Sequence, residues 1–163
     1  SVPERRFEFI RKNGRWTIDG KTWRDVIDSD YTYCMAEPEL DAVEIWDLRN
    51  DSGGWFHPVH IHLVDFQVLS RTSTTYGTAL PVHPYELGPK DTVYVGENES
   101  VRVAMRFGGP PAGDGWPVPR GRYMMHCHNL VHEDHDMMMQ FSVGDPDYDP
   151  ELDPIGAARP VSL

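Results

Sequence analysis

The sequence predicts an all-β, Greek-key β-sandwich or barrel. Two observations predict it. Short apolar stretches with period-two alternation recur along the chain, each bounded by Gly, Pro, Asn or Asp, the pattern of strands and turns. No stretch shows a helical period of normal length, and the one candidate is a single turn around Leu130 to Met137. Strands of this kind bury their apolar faces by packing sheet on sheet or by closing a barrel.

Taken in order, Phe7 to Ile10 alternates weakly, and Asn13-Gly14 makes a hairpin turn before Trp16 to Ile18, because both turn residues tolerate positive φ. Asp19-Gly20 is a second turn. Val43 to Leu48 alternates as an edge or face strand, and Asn50 to Gly54 is a polar turn. His57 to Val64 reads as a strand, followed by the apolar-rich run Leu63 to Leu69. Arg71 to Asp91 is a long connection rich in proline. Thr92 to Val95, Ser100 to Phe107, Tyr123 to His128 and Met138 to Val143 read as strands, with a Gly/Pro-rich segment from Gly108 to Gly121. Residues 1–143 are therefore expected to form one domain. Residues 144–163, rich in Asp and Pro, are expected to be a tail that is disordered or laid over a neighbour.

Composition sets bounds. A chain of 163 residues suits one domain and buries enough surface to need no disulfide scaffold. The net charge of −11 argues against nucleic acid and against anionic membranes. No apolar run approaches the roughly 20 residues that span a bilayer. The two cysteines do not read as a disulfide. The chain starts at Ser1 rather than Met and carries no signal peptide, so it is expected to be a processed product or a piece of a longer protein. These residues do not fix the compartment; an extracellular or periplasmic one is favoured over the cytoplasm.

The chemistry lies in two stretches, Trp55-Phe56-His57-Pro58-Val59-His60-Ile61-His62 and Met125-His126-Cys127-His128-Asn129-Leu130-Val131-His132-Glu133-Asp134-His135-Asp136-Met137. Along a strand, successive side chains point to opposite faces. His126 and His128 then share one face and Cys127 takes the other. His60 and His62 share a face, and His57 points away from them. Parity alone gives two groups. His57 and Cys127, with His132 and Met137 following, make two imidazoles, a thiolate and a thioether, the ligand set of a blue-copper electron-transfer site. His60, His62, His126 and His128 make an imidazole-only set, which suits copper, zinc, iron or nickel. Cys127 is bonded along the backbone to His126 and His128. A one-electron site on the thiolate is thereby wired to the histidine set, as dioxygen reduction requires when four electrons arrive one at a time.

The pattern His-Pro-x-His-x-His followed by His-Cys-His-x-x-x-His-x-x-x-x-Met resembles the last cupredoxin domain of multicopper oxidases. The stretches HPVHIHLVDFQVLSR and YMMHCHNLVHEDHDMM look most like the bilirubin oxidase, spore-coat laccase and phenoxazinone synthase branch. The resemblance runs from about Phe7 to Val143. It implies a cupredoxin fold. It also implies that His57, Cys127, His132 and Met137 are type 1 copper ligands, His60 a type 2 ligand, and His62, His126 and His128 type 3 ligands. It selects Met137 over Met138 and Met139. The implied enzyme takes single electrons from an aromatic reductant, such as a phenol or bilin, and passes them through Cys127 to a trinuclear copper cluster that reduces dioxygen to water. That cluster takes His-x-His pairs from two domains. The partner expected is therefore the N-terminal cupredoxin domains, carrying two further His-x-His pairs.

Other residues keep two readings. Trp55 is either core packing or a substrate platform beside the type 1 site. Glu133 is either a solvated charge or, by the resemblance, a catalytic proton donor to reduced oxygen. His83 reads as a surface side chain, Cys34 as a buried small hydrophobe, and Asp134, His135 and Asp136 as a polar rim or as hydrogen-bond partners of the ligands. A blue-copper electron carrier using only the type 1 site is the alternative function, and a copper-storage or copper-sensing module is a third.

Overall fold

The computed structural model describes residues 1–108 and 120–144. Among these residues, ten strands form two sheets. β1 (Glu4–Lys12) and β2 (Arg15–Ile18) make the first hairpin. Its turn residues, Asn13 and Gly14, both have positive φ, 52° and 78°, the backbone that a two-residue I′ turn demands. β3 (Val43–Asn50) pairs parallel with β1 and antiparallel with β8 (Glu99–Arg106). β5 (Phe66–Ser73) and β6 (Ala79–Leu80) complete the larger sheet, in the order β2-β1-β3-β8-β5-β6. The smaller sheet runs β10-β9-β4-β7, from β10 (Met138–Val143), β9 (Gly121–Cys127), β4 (His57–Ile61) and β7 (Thr92–Val95).

The two sheets bury one aromatic and aliphatic core between them. Trp46 of β3 is fully buried and meets Phe141 of the opposite sheet edge-on, with ring centroids 5.4 Å apart, and Phe7 at 4.8 Å. Its indole N–H donates to Glu44 at 2.8 Å, and Arg5 grips the same carboxylate through two bonds. A second buried device ties the long connection down. Arg71 of β5 donates to Glu86 in the 3-10 turn Pro84–Glu86, to Glu99 of β8 at 2.7 Å and to the Tyr94 carbonyl of β7 at 2.6 Å. No helix among the described residues is long and apolar enough to cross a membrane.

Several expectations need correction. Val43 to Leu48 is not an edge strand but an interior one, between β1 and β8. The strand from His57 stops at Ile61, two residues before Leu63 takes a positive φ of 75°, and the strand from Tyr123 stops at Cys127. His62 and His128 therefore sit just past strand ends. The Arg71–Asp91 connection is shorter than read, since β5 continues to Ser73 and β6 forms within it. A helix was missed: α1 (Trp23–Asp28) is six residues long, too short to show a period. Its signature was Thr22-x-x-Asp25, where the Asp25 carboxylate accepts the Thr22 N–H at 2.9 Å. Cys34 is half-buried rather than buried and accepts from the Gln140 amide at 3.4 Å. The expected tail lies outside the described residues, except Gly144.

Candidate metal centre

The site is built by strand register. β4 and β9 run antiparallel, with Val59 opposite Cys127 and His60 opposite His126. Opposed residues share a face. One face of this pair therefore carries His57 and Cys127, and the other carries His60 and His126. After β9 the chain turns into α2 (Leu130–Glu133), capped by the Asn129 side chain, which accepts the Val131 N–H at 3.2 Å. This single turn swings His132 onto the Cys127 side. Met137 follows, fully buried, with its N–H on the His132 carbonyl at 3.0 Å and its carbonyl accepting from Cys127 N–H at 3.1 Å. In the β9–β10 register Met138 faces His126, so Met137 falls on the Cys127 side.

Three donor atoms converge on that side. His57 Nδ1, His132 Nδ1 and Cys127 Sγ form a triangle with edges of 3.2, 3.4 and 3.5 Å, the spacing of atoms that share one metal ion at bonds of about 2 Å. All three residues are fully buried. Burial, and then the facing His132, pushes His57 down to about 3. Burial, then the charges of His135 and Arg11, pushes His132 down to about 4. Burial also pushes the Cys127 thiol up to about 12, against a hydrogen bond from the Asn129 backbone. Both rings are thus neutral at pH 7, as a metal requires, and loading must displace the thiol proton. His132 Nε2 is buried with no hydrogen-bond partner among the described residues, and among them packing and the triangle itself orient that ring. Two imidazole nitrogens facing each other beside a sulfur are best satisfied by a soft cation, and a His2Cys trigonal set fits copper.

On the other side, nitrogens of His60, His62 and His126 lie within 4.8 Å of one another. His62 Nε2 is 3.3 Å from His126 Nε2. His60 Nδ1 meets the Asp91 carbonyl at 2.8 Å, so it carries the proton and leaves Nε2 free for a metal. Burial chiefly lowers both His62 and His126, with neighbouring imidazoles adding to it. His128 does not join this trio. Its ring centre is 4.9 Å from His126 and 5.7 Å from His60, and its side chain is half exposed. Glu133 stands between, one oxygen 3.6 Å from His126 Nδ1 and the other 3.8 Å from His128 Nδ1. His83 stacks on Tyr85 at 5.1 Å, in neither group.

Aromatic rings wall the triangle. Trp16 stacks on His132 with centroids 3.7 Å apart, and Trp55 meets both rings edge-on at 5.2 and 5.3 Å. Trp16 is buried, whereas Trp55 is 41% exposed, so Trp55 alone of the two can meet a molecule from solvent.

Comparison with known proteins gives the chain's family. Residues 7–147 match the family model described as Multicopper oxidase. The chain belongs to the multicopper oxidase family. It is 43% identical over 98% of its length to a bilirubin oxidase of Albifimbria verrucaria, and covers 27% of that protein. It is 36% identical over 79% of its length to a laccase of Bacillus subtilis, covering 24% of it. Among solved structures it resembles the McoA multicopper oxidase of Aquifex aeolicus, with a TM-score of 0.73 at 30% identity, over 89% of this chain and 30% of that one. The fold is thus cupredoxin-like, and the chain spans about a quarter of the length of the curated relatives it matches. Members of this family use copper and oxygen.

Sequence reasoning missed Trp16, Ser52, Asn50 and the Asp91 carbonyl, which surround these histidines. Trp16 lies far from His132 in sequence, on the first hairpin, and only the docking of that hairpin brings the two together. No spacing rule could have found it. Asn50 and Ser52 read as ordinary turn residues.

Proposed function

We propose that this chain is the C-terminal, type 1 copper-bearing domain of an oxidase that oxidises aromatic reductants and reduces dioxygen to water. The observation that carries the reading is the pair of sites joined through Cys127: a closed His57–Cys127–His132 triangle on one face, and His60, His62 and His126 on the other. In this reading His57, Cys127, His132 and Met137 hold type 1 copper. His60, His62, His126 and His128 supply half of a trinuclear site. Copper would supply one-electron chemistry at the first site and dioxygen reduction at the second.

The chain's own residues do the rest. Trp55 offers a partly exposed aromatic face to a planar reductant, one ring contact from His132. Burial keeps water from the triangle. Cys127 and His126 are consecutive, so the two sites communicate through bonds. Glu133 places a carboxyl beside His126 and His128, and in this reading it relays protons to reduced oxygen. A blue-copper carrier has no use for the imidazole cluster, which is why we favour the oxidase. His128 and the open side of the cluster await a partner domain with two further His-x-His pairs.

The test compares this chain alone with the protein containing its partner domains. The isolated chain is expected to bind type 1 copper with an intense copper–thiolate colour, and Cys127→Ser to abolish that colour. Sustained oxygen uptake with an electron-rich phenol is expected only when the partner domains are present. Turnover by the isolated chain, or colour surviving Cys127→Ser, would sink the proposal.

A further inference from the structure

The two imidazoles of the triangle are held in different ways. His132 Nε2 has no hydrogen-bond partner among the described residues, and its ring rests on Trp16. His57 Nε2 lies 2.7 Å from the Ser52 hydroxyl. The Phe9 carbonyl, 3.1 Å from that hydroxyl, can only accept, so both contacts are hydrogen bonds only when the hydroxyl's one proton goes to the carbonyl. Ser52 Oγ is then left with lone pairs only toward His57. The ring must donate, so its proton sits on Nε2 and its lone pair on Nδ1, the atom that faces Cys127 and His132.

We infer that Ser52 is a positioning residue that fixes the metal-binding tautomer and orientation of His57. The inference rests on the type 1 reading above. The loop holding Ser52 is built for the purpose. Asn50, fully buried, donates through its amide to the Trp55 and Gly96 carbonyls, both at 2.8 Å, and its own Oδ1 accepts the Ser52 N–H at 2.9 Å. Gly53 and Gly54 follow with positive φ, 58° and 76°, which lets the chain reverse before it enters β4. The Gly54 N–H is taken by Glu97 at 2.7 Å. The hydroxyl is thus fixed in space from both ends, by a backbone acceptor on β1 and by an amide frame across β3 and β7. Hydrogen bonds of this kind to a ligand's far nitrogen set its basicity and its direction.

The roles of the two rings differ in consequence. His57 is anchored by a directional bond from the larger sheet. His132 has no such bond among the described residues and is held by packing against Trp16 and Trp55. A change of geometry at the metal should then fall on His132, and loss of Ser52 should remove the distinction.

The experiment uses the copper-loaded full protein. Ser52→Ala is expected to lower the affinity for copper(I), read by chelator competition, by about 10- to 100-fold and to shift the type 1 EPR parameters and reduction potential. Ser52→Thr keeps a hydroxyl and is expected to restore both. Unchanged affinity and spectrum in Ser52→Ala overturn the inference, and so does a Thr variant no better than Ala. Nitrogen-15 NMR of the metal-free wild type reads the tautomer directly and covers the case in which Ser52→Ala does not fold. A proton on His57 Nε2 is expected, and one on Nδ1 overturns the inference. A wild-type protein without a copper–thiolate band would instead overturn the type 1 reading, and the NMR result would still decide the role of Ser52.

Discussion

At the residue scale the site depends on side chains that do unlike jobs. Met137 is fully buried on the Cys127 side but holds the backbone together as well, through its N–H and carbonyl. A thioether in the axial position is a weak donor, so it tunes a copper site more than it retains the metal. Met137→Leu keeps volume and backbone. It is expected to keep the colour and raise the reduction potential; loss of copper, or the same effect at Met138, would count against the placement. Trp16 does the opposite job, covering His132 with an apolar face. Trp16→Ala is expected to destabilise the fold by about 3–5 kcal/mol and to broaden or alter the type 1 EPR signal. Trp16→Phe is expected to keep most of both. Equal EPR spectra for Ala and wild type would show that His132 does not need the stack.

At the element scale, the sites exist because of how segments are tied down. β4 and β7 are short, five and four residues, and β7 is held from the larger sheet by Arg71. That guanidinium is fully buried and bonds Glu86, Glu99 and the Tyr94 carbonyl. Burial pushes Glu86 up, but the Arg71 hydrogen bonds outweigh it and hold its carboxyl below the usual range. Replacing one partner of such a group leaves uncompensated charge. Arg71→Met is expected to cost about 3–5 kcal/mol in chemical unfolding. Arg71→Lys should recover only part, since an ammonium cannot make the planar fork. A Met variant within 1 kcal/mol of wild type, on the same roughly 3–5 kcal/mol scale, would show the network to be dispensable.

At the scale of the whole molecule, the buried site carries a pH signature. His57 and His132 ordinarily titrate near 6.5 but sit near about 3 and about 4 when folded. Between those values the unfolded chain binds more protons than the folded one, so stability rises with pH across the window. It is complete above about 6.5 and lost progressively as pH falls toward about 3, at up to about 1.4 kcal/mol per pH unit for each histidine. Urea unfolding of the copper-free protein at a series of pH values should show this decline beginning near pH 6.5. The copper-loaded protein should resist it until the metal leaves, because a ligated nitrogen cannot take a proton. A copper-free protein equally stable from about pH 7 to about pH 4.5 would contradict the buried, neutral state of both rings.

How much of this was legible in the sequence follows from what is local. Period-two parity separated His57 and Cys127 from the other histidines, because alternation is a property of one strand. The Asn13-Gly14 turn was legible for the same reason: its φ values are set by the two residues themselves. The family pattern likewise lives in contiguous residues. What only the tertiary structure decided is what depends on register and docking. The pairing of His60 with His126, and the closing of the triangle by α2, come from β4 meeting β9 in one register out of many. His128 stands outside the His60–His62–His126 trio, whereas His62, which also lies just past its strand end, stays in it, so parity along a strand decides neither placement. Trp16 and Ser52 came to the site from segments that carry no metal-ligand signal, brought there by burial of the first hairpin and by the Asn50 frame. Side chains that hold a ligand need only the right place, not a recognisable type, and place is what packing of the two sheets supplies.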